Sequence, residues 1–353
     1  MKKLDIFIFI DALGWDIIKG RDFLEELLPY RKSVKMQFGY SSTAIPTILT
    51  GEPPTVHKHL SFYYYAPDKS PFKFFNSFLF KLLPSAFFDR GRVRHILSKI
   101  IARFYGFTGY FEMYAMPFDK LHYFDYIEKT DIFVCNGLQP TPNIADELEK
   151  RDIPYHISNW RLSEKENFES LSRDIVKGKI QFAFLYTAAM DGLLHKETKE
   201  GPSIGRKLDW YKKNIEELVK EVKNHYDDFS LHIISDHGMT TNIKTLDLMS
   251  VIEKLPFEFG KDYVAVYDST MARFWFFNDN AKEQIILSLR EFSDSHILDD
   301  DEKKKYGIDF SDNMYGETIL LMDPGVQIEP CHMGKKALPA MHGYAPEHKD
   351  SYA

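Results

Sequence analysis

The chain has 353 residues, 44% of them hydrophobic and 27% charged, with a formal net charge of −7. That length suits a large single domain with a decorated core or a core with a cap, and the acidic balance excludes general attraction to a nucleic-acid duplex. Only two cysteines occur, Cys135 and Cys331, too few and too far apart for a disulfide scaffold or a short-spaced metal pair, as in a reducing compartment.

The N-terminal apolar run is short, interrupted by Asp5 and stopped by Asp11, so it does not read as a signal sequence. No run approaches transmembrane length, and a cytoplasmic location is the expectation. Ile6 to Ile10 are apolar throughout, the pattern of a parallel strand buried on both faces. Asp11 follows at its end, where open α/β sheets place ligand-binding groups; a helix cap is the competing role. Ser41, Ser42 and Thr43 precede a short apolar helix that closes on Leu49-Thr50-Gly51. Hydroxyls at a helix start meet unpaired N–H groups and the positive end of the dipole, a setting suited to a group that carries phosphate.

Residues 60–130 change character and read as an inserted aromatic, basic cap, with the core formed by residues 1–59 and 131–353. Tyr63-Tyr64-Tyr65 leads into Phe72, Phe74, Phe75, Phe78, Phe80, Leu82 and Leu83, and then Val93, Ile96, Leu97, Ile100, Ile101 and Phe104 fall at helical spacing. Lys73, Lys81, Arg90, Arg92, Arg94, Lys99 and Arg103 face only Asp89 over that span. The plain expectation is a cap with a solvated basic face. The sharper one is a lid whose aromatics enclose a ring or apolar group while Arg90, Arg92, Arg94, Lys99 and Arg103 meet phosphate. The same residues suit peripheral contact with an anionic membrane or a lipid-linked substrate.

Further on, Ile132–Cys135 reads as a strand, Asn143–Lys150 as a helix and Ile153–Ile157 as a strand, with Pro140 and Pro142 in the loop between. Residues 164–177 read as a helix. The strand-like Phe182–Tyr186 leads to Asp191 and His195, four apart and therefore on one helix face. A long amphipathic helix through Ile204, Leu208, Tyr211, Ile215, Leu218, Val219 and Val222 feeds the apolar run Leu231–Ile234. That run ends in Ser235-Asp236-His237-Gly238, where oxygen and nitrogen donors suited to a zinc-type ion stand side by side and a glycine lets the backbone turn. Thr270–Phe277 and Thr318–Met322 read as strands, Asp299–Lys305 as an exposed loop, and Cys331-His332 as incidental.

In this order, the strand ending in Asp11, the hydroxyl helix closing on Leu-Thr-Gly, Asp191-x-x-x-His195, Asp236-His237-Gly238 and Met341-His342-Gly343-Tyr344 resemble the motifs of the alkaline-phosphatase superfamily. The likeness is to its type I phosphodiesterase/nucleotide pyrophosphatase branch and spans residues 5 to 345. It implies an α/β fold with a largely parallel central sheet and helices on both faces. The implied activity is hydrolysis of a phosphodiester or phosphoanhydride in a small phosphate-ester or pyrophosphate substrate, through a covalent phosphoserine or phosphothreonine. Two divalent metal ions are implied, zinc or alternatively manganese. Asp191, His195 and His342 would hold one, and Asp11, Asp236 and His237 the other, with the nucleophile as a further ligand. Three such ligands leave a position open for water or substrate.

The family's ten-residue offset before the Gly of the Thr-Gly pair puts the nucleophile at Ser41, with Ser42 and Thr43 as alternates. The sulfatase frame Cys/Ser-x-Pro-x-Arg lacks its Pro and Arg in Ser41–Ile45, which argues against formylglycine chemistry. Pro54-Thr55-Val56-His57-Lys58 departs from the family's Pro-x-x-His-Gly at Lys58, which points His57 toward a structural role. Family members usually continue past the point where this chain ends, so either the sheet closes differently or the sequence is truncated. A phosphomonoesterase or phospho-group transferase on the same scaffold, and a non-catalytic binding protein retaining the fold, are the alternatives.

Overall fold

The computed structural model describes residues 2–77 and 90–353. In chain order the strands are β1 (Lys3–Ile10), β2 (Tyr63–Tyr65), β3 (Phe124–Tyr126), β4 (Tyr155–Ile157), β5 (Phe182–Thr187), β6 (Asp228–Ile234) and β7 (Thr240–Thr241). They continue as β8 (Lys244–Leu246), β9 (Tyr263–Tyr267), β10 (Met271–Phe276), β11 (Ser295–Ile297), β12 (Thr318–Met322), β13 (Val326–Ile328) and β14 (Ala340–Met341). The longer helices are α1 (Ser41–Thr50), α2 (Gly91–Tyr105), α3 (Ile144–Lys150), α4 (Glu164–Lys177), α5 (Ala189–Glu197) and α6 (Pro202–His225). After them come α7 (Leu248–Glu253), α8 (Asp279–Arg290) and α9 (Asp300–Lys305).

The fold is α/β, organised on a parallel sheet of order β4-β5-β1-β6. Alternation along β1 sends Leu4, Ile6, Ile8 and Ile10 to one face, where α4 and α6 cover them with Phe168, Leu171, Ile175, Ile204, Ile215 and Val222. Phe7 and Phe9 point the other way, against Ile45 and Leu49 of α1 and Phe133 and Leu138. Each such side chain contributes on the order of 1.5–3 kcal/mol when fully buried. The all-apolar run is therefore the signature of a strand covered by helices on both faces. Because the strands are parallel, the residues after β1, β5 and β6 emerge at one edge.

A second, antiparallel sheet has the order β11-β12-β10-β9. One face packs on α8 through Ile285 and Leu289. On the other face, Val264, Val266 and Trp275 meet Tyr63, Phe72, Phe75, Met113 and Tyr126 from the aromatic stretch, whose β2 and β3 pair antiparallel. Arg273, wholly buried, clamps the two together. Its guanidinium donates to Asp268 Oδ2 at 2.9 Å, to the Tyr63 carbonyl at 2.9 Å and to Ser61 Oγ at 3.0 Å.

Three expectations change. Ile132–Cys135 is a turn rather than a strand, because the Asn143 side chain at the start of α3 donates to the Ile132 and Val134 carbonyls, both at 2.9 Å. Asp299–Lys305 is a capped helix rather than a loop. Asp299 and Glu302 form a capping box, and the acid-first, lysine-last order matches the helix dipole. Arg94 leaves the basic face: it is buried, with Nη1 donating to the Met116 carbonyl at 2.7 Å and its guanidinium 4.2 Å from the Phe118 ring centre. Phe78, Phe80, Lys81, Leu82, Leu83 and Asp89 lie outside the described residues. Among the described residues no helix is long and apolar enough to cross a membrane.

Removing the Arg273 charge leaves Asp268 buried and unpaired. Arg273→Met is expected to destabilise the protein by about 3–5 kcal/mol, read as a lowered urea midpoint. Arg273→Met/Asp268→Asn should recover part of that loss; a double variant as weak as the single one would refute the clamp.

Candidate active site

The carboxyl edge of the parallel sheet gathers the polar side chains. Asp11 follows β1 directly, and the one-turn helix nearby starts only at Trp15 with Gly14 before it, so Asp11 caps no helix. Asp191 and His195 stand on α5, with Asp191 Oδ1 3.2 Å from His195 Nε2. Asp236 and His237 follow β6. His342 follows β14, which pairs antiparallel with β7 just beyond His237. That ladder brings a residue a hundred positions away into ring stacking, with the His237 and His342 centroids 3.7 Å apart. All six predicted metal-ligand residues thus meet at one place. The ligand atoms of Asp191, His195 and His342 lie within 4.8 Å of one another, and so do those of Asp11, Asp191 and His237. Asp191 therefore reaches both groups, where the family resemblance implied only one.

The three hydroxyls at the start of α1 have different fates. Ser41 Oγ lies 3.0 Å from His237 Nε2. Thr43 Oγ1 donates to the Leu60 carbonyl at 2.5 Å and is fully buried. Ser42 lines the cleft, but its Oγ has no hydrogen-bond partner. Tyr40, just before the helix, places its hydroxyl 2.9 Å from Thr270 Oγ1, which in turn donates to the Gly343 carbonyl at 3.0 Å. The helix start and the His342 loop are thereby tied to the second sheet.

Tautomers follow from the backbone partners. A carbonyl only accepts, so His237 Nδ1 donates to the Gly238 carbonyl at 2.9 Å and His195 Nδ1 donates to the Ala340 carbonyl at 2.8 Å. In the neutral rings this turns the Nε2 lone pairs toward carboxylates. His237 Nε2 faces Asp236 Oδ2 at 3.2 Å and Asp11 Oδ1 at 3.7 Å. Lone pair against lone pair at such distances is repulsive, and a cation between them removes the repulsion. Asp11 Oδ1, Asp191 Oδ1, Asp236 Oδ2 and His342 Nδ1 are all buried without a hydrogen-bond partner.

The charges perturb one another. Burial, then the charges of Asp236 and Asp191, hold the Asp11 carboxyl well above its ordinary range. Burial also raises Asp236, against the opposing pull of His237. Burial pushes Asp191 upward too, but the neighbouring imidazoles of His195, His342 and His237 outweigh it and hold Asp191 low. Burial and then the neighbouring His237 keep the His342 imidazole well below its usual value.

Two residues flanking the motifs are structural. His57 is buried outside the cleft lining, its Nδ1 accepting from the His59 N–H at 3.1 Å and its Nε2 2.9 Å from Thr47 Oγ1. Lys58 adopts the left-handed conformation, φ +68°, that a glycine takes more readily. Gly238, by contrast, serves close approach rather than a turn. A Cβ there would lie 2.1 Å from the Asp350 carbonyl oxygen, and the Gly238 N–H donates to Ser351.

The site opens into a cleft of about 640 Å³. Ser41, Ser42, Asp11, Asp191, His195 and His342 lie along it, with Phe62, Tyr110, Tyr114, Trp160 and Tyr186 as aromatic walls. Segment 60–130 supplies several of these rings, but among the described residues none of Arg90, Arg92, Arg94, Lys99 and Arg103 lines the cleft. Glu128 does line it, and burial, with the charge of Asp131, pushes its carboxyl up to about 8. Tyr186 donates to Asp11 Oδ2 at 3.4 Å. Neither residue stood out in the sequence. Tyr186 read only as strand, and Glu128 carried no motif.

No curated protein sequence matches the chain. Among solved structures, human ectonucleotide pyrophosphatase/phosphodiesterase 5 superposes with a TM-score of 0.69 at 13% identity, covering 99% of this chain and 86% of that one. An inactive form of the murine protein, in complex with AMP, gives a TM-score of 0.68 at 14% identity with coverage of 99% and 86%. These likenesses show the alkaline-phosphatase-like fold. The type I phosphodiesterase/nucleotide pyrophosphatase family matches residues 6–345, and the chain belongs to that family, as a hydrolase acting on phosphoric ester bonds.

Proposed function

We propose that the protein hydrolyses a phosphodiester or phosphoanhydride through a phosphoserine on Ser41. The observation that carries this reading is the Ser41 hydroxyl, at a helix N-terminus and 3.0 Å from His237 Nε2, beside a buried set of carboxylates and imidazoles. The donor set fits a pair of divalent cations, because its unpartnered carboxylate oxygens and inward lone pairs lack only positive charge. Asp191, His195 and His342 would hold one; Asp11, Asp236, His237 and Ser41 the other, with Asp191 close to both. Zinc suits the mixed N/O set, and manganese is the alternative. When bound, such a pair supplies Lewis-acid charge that favours the serine alkoxide and offsets charge on the phosphoryl oxygens.

The chain's own groups do the rest. The Thr43 and Ala44 N–H groups donate to the Tyr40 carbonyl, which leaves those of Ser41 and Ser42 to bind a phosphoryl oxygen. Ser41 Oγ gives up its proton to solvent and attacks phosphorus; the Oγ–P bond forms as the bond to the leaving oxygen breaks. Water then attacks the phosphoserine, the Oγ–P bond breaks, and the serine hydroxyl is restored. Thr43 is committed to the Leu60 carbonyl, which disfavours it as nucleophile. The aromatic walls provide for a second substituent on phosphorus, which supports a diester over a monoester. AMP in the murine neighbour has a ring of the kind such walls would hold.

Ser41→Ala should lower hydrolysis of bis-nitrophenyl phosphate, in the presence of zinc or manganese, by on the order of 10³-fold or more, and should remove the phosphoserine trapped by acid quench. Full activity in that variant, with loss in Ser42→Ala or Thr43→Ala, would move the role to a neighbour. Faster turnover of the monoester than of the diester would favour a phosphomonoesterase.

Carboxyls raised in the fold bind protons more tightly than in the unfolded chain. Asp11 and Asp236 therefore support the metal-free fold fully below their ordinary pKa of about 3.9, and that support is lost as pH rises through their folded values. In chelator at neutral pH, Asp11→Asn should melt higher than the wild type, and the gap should close toward about pH 4. Zinc at roughly a hundred times its Kd should stabilise the wild type by about 2.7 kcal/mol and the variant by much less. An Asp11→Asn melt below wild type in chelator would contradict this.

Glu128 is neutral below about pH 8 and then offers the substrate a hydrogen-bond donor rather than a charge. KM for an anionic diester should climb above that pH in the wild type and stay flat in Glu128→Gln. Parallel profiles would remove Glu128 from substrate contact.

A further inference from the structure

We propose that α2 docks the protein on an anionic bilayer surface. The inference is independent of the chemistry in the cleft. Ile96, Ile100 and Phe104 are 57%, 58% and 81% exposed. Four residues apart, they form one stripe about 12 Å long. At a hundred degrees per residue, Arg92, Lys99 and Arg103, all exposed, line one flank of that stripe. The opposite face is turned inward and carries Arg94, Ser98 and Ile101.

The helix thus departs from the usual arrangement. An ordinary surface helix buries its apolar side chains and exposes its polar ones. Here an arginine and a serine are buried and hydrogen-bonded. Ser98 Oγ lies 2.9 Å from Glu112 Oε1 and accepts from the Met113 N–H at 3.0 Å, and Arg94 donates to the Met116 carbonyl at 2.7 Å. These bonds fix the rotation of the helix and keep the isoleucines and Phe104 outward. They also join the helix to residues 112–116, next to Tyr110 and Tyr114 on the cleft wall.

What covers the stripe must be apolar to the depth of a side chain and negative beside it. Residues 91–105 contain no Asp or Glu. A second copy of the same helix would set Arg92, Lys99 and Arg103 against their own likes, so self-association is disfavoured. A nucleic acid would satisfy the cations and leave the isoleucines and phenylalanine in water. The interface of a bilayer rich in anionic lipid satisfies both demands, with the apolar side chains at the acyl boundary and the cations among the headgroups.

The test is co-sedimentation of the full chain with phosphatidylcholine vesicles, with and without phosphatidylglycerol. Binding is expected only to the anionic vesicles and should weaken with added salt. Arg92→Gln/Lys99→Gln/Arg103→Gln should weaken it by on the order of 100-fold, and Ile96→Ser/Ile100→Ser/Phe104→Ser should abolish it, with circular-dichroism melts like the wild type. A readout without substitution guards against a folding defect: anionic vesicles should slow tryptic cleavage after Arg92, Lys99 and Arg103. The proposal is overturned if the wild type stays in the supernatant with anionic vesicles, if either variant binds as the wild type does, or if vesicles leave those cleavages unchanged. Gel filtration showing a wild-type dimer and a monomeric serine variant would also overturn it, by assigning the stripe to self-contact.

Discussion

Mutual repulsion among three carboxylates withdrawn from water is the constraint on which the rest of this structure turns. Asp11, Asp191 and Asp236 are set close enough to oppose one another's ionisation, and burial with these neighbours drives Asp11 well above its ordinary range and raises Asp236. Such an arrangement opposes folding by itself. It persists because the surroundings over-determine it. The Ala12 N–H donates to Asp236 Oδ1 at 3.1 Å, Tyr186 donates to Asp11, and two imidazoles are held by backbone carbonyls in the tautomer that turns Nε2 inward. These bonds aim the donor atoms toward one small volume, where Asp11 Oδ1 and Asp236 Oδ2 are left without a hydrogen-bond partner. A site built this way stores an affinity for positive charge.

The fold supplies the frame in a division of labour. The parallel sheet carries Asp11, Asp191 and Asp236-His237 to one edge because its strands share a direction. The antiparallel sheet brings the other wall, through Tyr40, Thr270 and the His342 loop. The last residues seal the back of the site. Gly238 donates to Ser351 and Trp15 to Tyr352, an approach so close that a side chain at position 238 would meet the Asp350 carbonyl.

The aromatic stretch has a double character that its composition conceals. Phe62, Tyr110 and Tyr114 face the cleft, whereas Ile96, Ile100 and Phe104 face away from the protein. Its cations also divide. Arg94 is an internal strut held by Met116 and Phe118, and Arg92, Lys99 and Arg103 lie on the outer side of α2. A count of basic residues treats all four alike. Their different roles depend on which side of one helix faces the second sheet.

The sequence alone determined whatever depends on local pattern. The apolar run Ile6–Ile10 demanded a strand buried on both faces, the heptad-like spacing through Ile204–Val222 demanded an amphipathic helix, and Asp191 and His195 had to share a helix face. The order of the motifs also determined the family, because each motif places its side chain at a strand end or a helix start by local geometry. Other features depended on contacts far apart in the chain, and only the tertiary structure decided them. Asn143 converts Ile132–Cys135 from a strand into a turn by taking its carbonyls. The β7–β14 ladder sets His342 on His237, and Asp191 reaches both ligand groups. Ser41, rather than Ser42 or Thr43, meets His237, since three adjacent hydroxyls are alike in sequence and differ only in what the folded chain places opposite each one.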